Sequence, residues 1–273
     1  MRRAVLLAGS LCCLLVHGLA ASADPASAPA EPQKDWELEL SPYAWTALPR
    51  GRIDTNTDLL GTQTFSMRLN DLLEQLDLAA MFLAKARWQR VVGIVDFAWA
   101  KLEDSNGIGQ RIRYDLTPRI GWLNVLGGYR VYERPGNLFG IAEPDDRRKF
   151  SVDLLAGVSY SWMRVELDLS RDPLLEVPPQ QRHLDRDTDW VGPVIATDLQ
   201  NDFTDRLRWS NRLAVGGFGA GNAPNLSWQV TSTLDYRVWG PVLLKAGFRA
   251  MGSHDPNLDL IFYGPLMGVG VRF

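Results

Sequence analysis

From Leu226 to Val238 the even positions read Leu226, Trp228, Val230, Ser232, Leu234, Tyr236 and Val238. The odd positions read Ser227, Gln229, Thr231, Thr233, Asp235 and Arg237. One apolar and one polar face at period two is the signature of a β-strand, whose successive side chains point to opposite sides. Trp239-Gly240-Pro241 reads as a turn, after which Val242, Leu244, Ala246, Phe248 and Ala250 resume the apolar face against Lys245, Gly247 and Arg249. Leu78, Ala80, Phe82, Ala84, Ala86 and Trp88 alternate with Asp77, Lys85 and Arg87; Val91, Gly93, Val95, Phe97 and Trp99 leave Asp96 on the other face; Val152 to Tyr160 alternate with Ser151, Asp153 and Ser159. Leu207 to Val215 is a weaker case, because Asn211 falls on its apolar face. The alternation slips at Trp162-Met163, which predicts either a bulge or a strand rising past a bilayer.

Read this way, the chain predicts strands over 36–47, 77–88, 91–104, 110–132, 148–169, 188–200, 206–219, 225–238, 241–252 and 259–273. That makes about ten strands, with eight as a lower alternative; a hairpin around Gly51–Asn56 and Gln63–Leu69 would raise the number to twelve. Leu69 to Leu76 (LNDLLEQL) reads as one or two helical turns. A soluble sandwich also alternates, but its strands are typically ~5–6 residues, whereas tilted strands of ~9–11 residues cross a bilayer. Trp36, Trp45, Trp88, Trp99, Trp239, Tyr263 and Phe273 fall near strand ends, where interfacial aromatic girdles sit. Hydrocarbon does not tolerate an open sheet edge, so the expected fold is all-β: a closed transmembrane antiparallel up-and-down β-barrel over residues 36–273.

Composition agrees and adds a leader. The chain has 273 residues, 46% hydrophobic and 22% charged, which excludes a disordered polypeptide. Arg2 and Arg3, the apolar run Ala4 to Ala20, and Ala21-Ser22-Ala23 read as a cleaved export signal over 1–23, and 24–35 reads as a Pro/Ala-rich periplasmic leader. Loss of the signal removes two Arg and no acid, moving the net charge from −3 to −5. Such a charge does not suit a nucleic-acid partner. It also removes Cys12 and Cys13, so the exported chain must be held by burial and backbone pairing rather than disulfides.

Tyr263, Met267, Val269, Val271 and Phe273 share one face of the last segment, with Leu266, Gly268, Gly270 and Arg272 on the other. An apolar alternation ending in an aromatic resembles the C-terminal signature of bacterial outer-membrane barrels, and the resemblance implies recognition by the barrel-assembly machinery. The segments Trp36–Trp45 (WELELSPYAW), Asp189–Asp198 (DWVGPVIATD), Val215–Gly221 (VGGFGAG), Ser227–Tyr236 (SWQVTSTLDY) and Tyr263–Phe273 (YGPLMGVGVRF) resemble a group of uncharacterised bacterial outer-membrane β-barrel proteins. That resemblance implies a Gram-negative outer-membrane location among lipid and lipopolysaccharide, and brings no residue roles. Both termini then belong in the periplasm, with turns at 89–90, 201–205 and 239–241 there, and 48–76, 105–109, 170–187, 220–224 and 253–258 as outward loops. Glu133–Arg148 breaks the scheme as a long periplasmic connection, or else the strand at 110–132 is wrong.

Candidate chemistry lies on the inner face. Lys85, Arg87, Arg130, Arg208, Arg212, Arg237, Lys245, Arg249 and Arg272 are expected there with Asp96, Asp153, Asp198 and Asp235, nine basic against four acidic groups. A water-filled lumen so lined would favour anions; if the groups pair, they fill a narrow barrel instead. The leading expectation is a structural or passive channel-type barrel without catalysis, followed by an anion-leaning small-solute porin and an outer-membrane lipid hydrolase using a loop histidine. For that last class only His183 and His254 remain after signal cleavage. Ser253-His254-Asp255 has triad residue types, but neighbours in an extended chain point apart. Asp185, Asp187 and Asp189 near His183 have a superficially Ca²⁺-like spacing without the Gly and distal Glu of such a loop, so neither metal nor cofactor is expected. Gly216, Gly217, Gly219 and Gly221 read as aids to packing or bending of the wall, not as a phosphate loop.

Overall fold

The computed structural model describes residues 35–54, 62–66, 76–102, 104–108, 112–140, 148–171, 182–255 and 258–273. The export signal, nearly all of the leader and the expected helical turns before Leu76 lie outside these residues. Among the described residues all regular structure is strand: β1 (Trp36–Trp45), β2 (Leu48–Asp54), β3 (Thr62–Ser66), β4 (Leu76–Trp88), β5 (Val91–Leu102), β6 (Asp104–Ile108), β7 (Ile112–Pro135), β8 (Lys149–Arg171), β9 (Arg182–Asp202), β10 (Leu207–Gly217), β11 (Leu226–Trp239), β12 (Val242–Asp255) and β13 (Leu258–Arg272). Ten of them run antiparallel around a ring in the order β1-β4-β5-β7-β8-β9-β10-β11-β12-β13. The ring closes where β1 pairs with β13, Glu39 opposite Arg272 and Trp45 opposite Leu266, and Phe273 N donates to Leu38 O at 2.9 Å.

The remaining three strands extend the wall rather than enter the ring. β2 continues the pairing with β13 where β1 ends, and β3 pairs with β2, so the expected hairpin exists without making a twelve-stranded barrel. β6 folds back on β7 where a loop over 105–109 was expected. β8 outruns its expected end by two residues, to Arg171, and β9 begins at Arg182, both within what reads as a 170–187 loop. The slip at Trp162-Met163 is not a bulge: the register runs unbroken through Trp162 opposite Gly121 and Met163 opposite Ile120. The pattern changes there because the strand leaves the apolar band, beyond which its outer face no longer needs to be greasy. Register shifts occur instead at Leu76/Leu78, Arg130/Tyr132 and Arg237/Trp239.

One end of the barrel carries the tight turns at Gln89-Arg90, 203–206 and Gly240-Pro241, together with the start of β1 and the end of β13. Residues 136–140, which follow β7, lie at this turn end, and the preceding strand stands, since β7 runs Ile112–Pro135. Leu138 N donates to Asn201 Oδ1 at 2.6 Å, and Phe139 stacks on Phe203, which stacks on Trp209 (centroids 6.5 and 6.2 Å apart). At the opposite, loop end lie the β10–β11 and β12–β13 connections.

The outer face is apolar across adjacent strands. Val125 stands opposite both Val95 and Val158, and all three are exposed. Exposed Trp36, Trp88, Tyr129, Tyr132, Tyr236, Trp239 and Phe273 ring the turn end. Towards the loop end Trp162 packs between Phe97 and Tyr160, at 6.2 and 5.3 Å, and lies across Gly121, where a Cβ would meet its ring at 2.2 Å. An apolar band between two aromatic rings is the exterior of a barrel immersed in hydrocarbon. Inside, Val92, Ile94, Leu126, Leu155, Val194, Ala196 and Ala214 make a packed cluster on β5 and β7 to β10. On this reading Val125→Arg lowers the unfolding free energy by about 2–4 kcal/mol, while Val238→Arg beside the Trp239 girdle costs about 0–1 kcal/mol. Denaturant titration of the barrel in phospholipid vesicles measures both.

Candidate functional site

The inward positions of the ring strands hold a connected set of charges. β1 contributes Glu37, Glu39 and Tyr43; β4 contributes Lys85 and Arg87; Asp96, Arg130 and Asp153 come from β5, β7 and β8. Asp198 and Asp202 come from β9, Arg208 and Arg212 from β10, Asp235 from β11, Lys245 and Arg249 from β12, and Arg272 from β13. Nearest the turn end, Glu37 faces Arg87, Arg208 and Arg272 at 3.4, 3.4 and 3.3 Å, and Arg208 also donates to Asp202 at 2.5 Å. Glu39 accepts from Arg272 at 2.6 Å and from Lys245, which stands 3.4 Å from Asp235. Deeper in, Lys85 bridges Asp153 and Asp198 at 3.0 and 2.5 Å, and Arg130 grips Asp153 through Nε and Nη2 at 2.7 and 3.3 Å. Arg212 sits 3.2 Å from Asp198 and 3.8 Å from Asp96.

Arg249 closes this layer. Its guanidinium lies 3.0 Å from Asp96 and 5.9, 5.2 and 5.6 Å from the ring centres of Tyr43, Trp45 and Trp122. Nη1 donates to Tyr43 Oη at 2.7 Å, and Tyr43 Oη donates onward to Asp96 Oδ1 at 2.7 Å. Some of these pairs are simple cross-strand neighbours, such as Arg212 opposite Asp198 and Lys245 opposite Asp235. Others join strands that do not touch: Lys85 on β4 with Asp198 on β9, Arg249 on β12 with Asp96 on β5, and Arg208 on β10 with Glu37 on β1. Those links span the interior. Charges removed from water must be paired and hydrogen-bonded, and here each buried carboxylate faces at least one cation.

Twelve of the thirteen charged groups expected inside are buried or mostly buried there; Arg237 is the exception, exposed at the turn end beside the Arg237/Trp239 register shift. Three acids were missed: Glu37 and Glu39, which alternate with Leu38 and Leu40 in WELELSPYAW, and Asp202. Eight basic groups therefore face seven acidic ones among the described residues, and the expected positive interior is corrected to one near balance.

Above Asp96, towards the loop end, the interior opens into a cavity of about 170 Å³. Its walls are large and apolar on one side, with Ile120, Trp122, Met251 and Phe262, and small on the other, with Ser159, Ser161, Gly192, Ala214 and Gly216. The small inward residues of β8 to β10 are why the space is there. The β10–β11 connection folds over it: Gly217, Phe218 and Gly219 turn in succession at φ +87°, +54° and +64°, which brings Ala223 against Gly192. A Cβ at Gly217 would meet Pro224 O at 2.3 Å, so this turn requires glycine. Asn222 pins the connection to β9, donating to Asp189 O at 2.9 Å and accepting from Val191 N at 3.1 Å.

The histidine and aspartate candidates are dispersed. His254 Nδ1 meets Asp259 Oδ1 across β12 and β13, both exposed, while Ser253 lines the cavity on the inner face. Asp187 is held by Arg164 Nε and Nη2 at 2.5 and 2.8 Å, hydrogen bonds that keep its carboxyl below the usual range. The side chains of His183 and Asp185 lie outside those described. Removing a buried anion strands its cations, so Asp153→Ala lowers stability by about 3–5 kcal/mol through Lys85 and Arg130, whereas Asp187→Ala at the exposed pair leaves the denaturant midpoint in place. Unfolding of the two variants in vesicles checks the contrast.

No protein-family model matches the chain, and no curated protein matches it in sequence. Among solved structures it is similar to the outer membrane protease OmpT from Escherichia coli, with TM-score 0.49 and 9% identity over 87% of this chain and 96% of that one. The translocator domain of the autotransporter NalP from Neisseria meningitidis gives TM-score 0.41 and 11% identity over 89% and 90%. Ail, the attachment invasion locus protein of Yersinia pestis, gives TM-score 0.34 and 10% identity over 87% and 98%.

Proposed function

We propose that the protein is a non-catalytic integral barrel of the Gram-negative outer membrane, closed to ions in its resting state and serving a structural or passive role. The observation that carries this reading is the set of ion pairs across the interior, Lys85 to Asp198, Arg249 to Asp96 and Arg208 to Glu37, which occupies the space a conducting path would need. Ten strands enclose little more than the eight whose side chains just fill a barrel, and large buried Arg and Lys side chains leave only about 50 Å³ within the ionic layer. A near-balanced interior gives anions no advantage, so the porin reading is weaker. The hydrolase reading is weaker too, since His254 and Asp259 face solvent while Ser253 points inward.

In this reading the turn end, with both strand termini, lies in the periplasm, and the β10–β11 and β12–β13 connections face outward among lipopolysaccharide. The outward row Tyr263, Met267, Val269 and Phe273 is exposed on β13 and just beyond it, where the barrel-assembly machinery would meet it. Purified protein in planar bilayers is expected to give no stable conductance steps, with steps emerging when Arg249 and Arg212 are both replaced by Ala; persistent steps from the unaltered protein would contradict the proposal. Phe273→Ala is expected to reduce folded barrel in outer-membrane fractions severalfold while leaving spontaneous folding into detergent unchanged.

A further inference from the structure

The ionic layer explains the turn-end half of the interior and leaves the loop-end cavity without a role. That cavity is not a packing residue of small size. Its volume of about 170 Å³ exceeds the roughly 150 Å³ of an apolar protein cavity able to hold one benzene ring. Aromatic and thioether side chains of Trp122, Met251 and Phe262, from β7, β12 and β13, face Ser159 and Ala214 on β8 and β10, with Trp190 of β9 beside the latter. The ordered β10–β11 connection, pinned by Asn222, forms part of its rim through Ala223 and Pro224.

The floor sets the polarity of a fitting ligand. Asp96 and Arg212 line it, and their charges already face Arg249, Asp198 and each other. At that floor an ionic ligand of either sign would meet a like charge beside each opposite one, and the Asp255 carboxylate, which also lines the cavity, disfavours an anion further. The side-chain amides of Asn124 and Gln229 also line it, joined by a single long hydrogen bond of 3.3 Å, and can turn a donor or acceptor towards a guest. A further donor is idle: Trp122 Nε1–H is buried with no acceptor among the described residues. A buried polar group without a partner is uncommon and calls for an explanation.

We propose that this cavity binds a small neutral molecule about the size of one aromatic or alicyclic ring, bearing a hydroxyl or carbonyl oxygen that engages the Asn124–Gln229 floor. The ring lies against Trp122, Trp190 and Phe262, and the oxygen reaches the amides. The inference goes beyond the closed-barrel reading and does not depend on it, since a site above the ionic layer binds whether or not ions pass below.

The test uses the full-length barrel refolded in lipid nanodiscs, 4-bromobenzyl alcohol as a heavy-atom quencher, and intrinsic tryptophan emission. The expected result is a saturable quenching component above the linear one that arises from partition into lipid, with emission recovered on adding unbrominated benzyl alcohol. Ala214→Leu and Ser161→Leu, which fill the cavity from two strands, are each expected to weaken the saturable component at least tenfold while the folded band on an unheated gel is retained. 4-Bromobenzoate should bind at least tenfold more weakly than the alcohol. Purely linear quenching in the unaltered protein, no recovery by benzyl alcohol, or equal binding of the benzoate overturns the proposal. So does displaceable quenching by a chain-brominated phospholipid and not by the alcohol, which would make the occupant a lipid chain.

Discussion

Closing a sheet into a ring satisfies every wall hydrogen bond but leaves the inward side chains with nowhere to go. In this barrel those side chains include eight cations and seven carboxylates, and the cost of holding them away from water is offset only because they face one another. Pairing across the lumen is the constraint on which the rest depends. It ties opposite walls to one another, it narrows the turn-end half of the interior to a space of about 50 Å³ among Glu39, Lys85, Asp198 and Lys245, and it sets the floor on which the loop-end cavity rests. Arg249 sits at the junction, 1% exposed, ion-paired to Asp96 below and surrounded by Tyr43, Trp45 and Trp122.

The wall itself was largely legible in the chain. Where one face meets hydrocarbon and the other meets charge, alternation is sharp, and β4, β11, β12 and β13 lie within a residue or a few of their expected bounds. The pattern failed where the outer solvent changes: past the aromatic ring, β9 begins at Arg182, six residues before its expected start, through residues of mixed polarity, and β6 pairs with β7 where a loop is expected. Strand pairing there is a matter of backbone geometry, and side-chain period carries little of it.

The interior was legible in kind and not in balance. Glu37 and Glu39 show the same period-two pattern as Lys85 and Arg87, but in WELELSPYAW the two tryptophans at the strand ends are the stronger signal and mask the acidic face. Arg237 follows its strand's polar face in sequence but emerges at the end, where the register shifts. The inward apolar cluster was hidden for a different reason. In VVGIV both faces of β5 are greasy, so Val92 and Ile94 look no different from the lipid-facing Val91 and Val95. The cavity follows from small inward residues on β8 to β10 standing across from Trp122, Met251 and Phe262 on β7, β12 and β13, an apposition that only the closed ring makes, so spacing along the chain does not reveal it.

The most direct measurement of the central claim is a double-mutant cycle between strands that never touch: Arg249→Met, Asp96→Ala and the pair, unfolded by denaturant in vesicles. If the cross-lumen contact braces the barrel, the two changes are coupled by about 1–3 kcal/mol, the second costing much less once the first is made. Additive losses, with coupling indistinguishable from zero, would mean that these charges merely occupy the same interior and that the barrel stands on its wall alone.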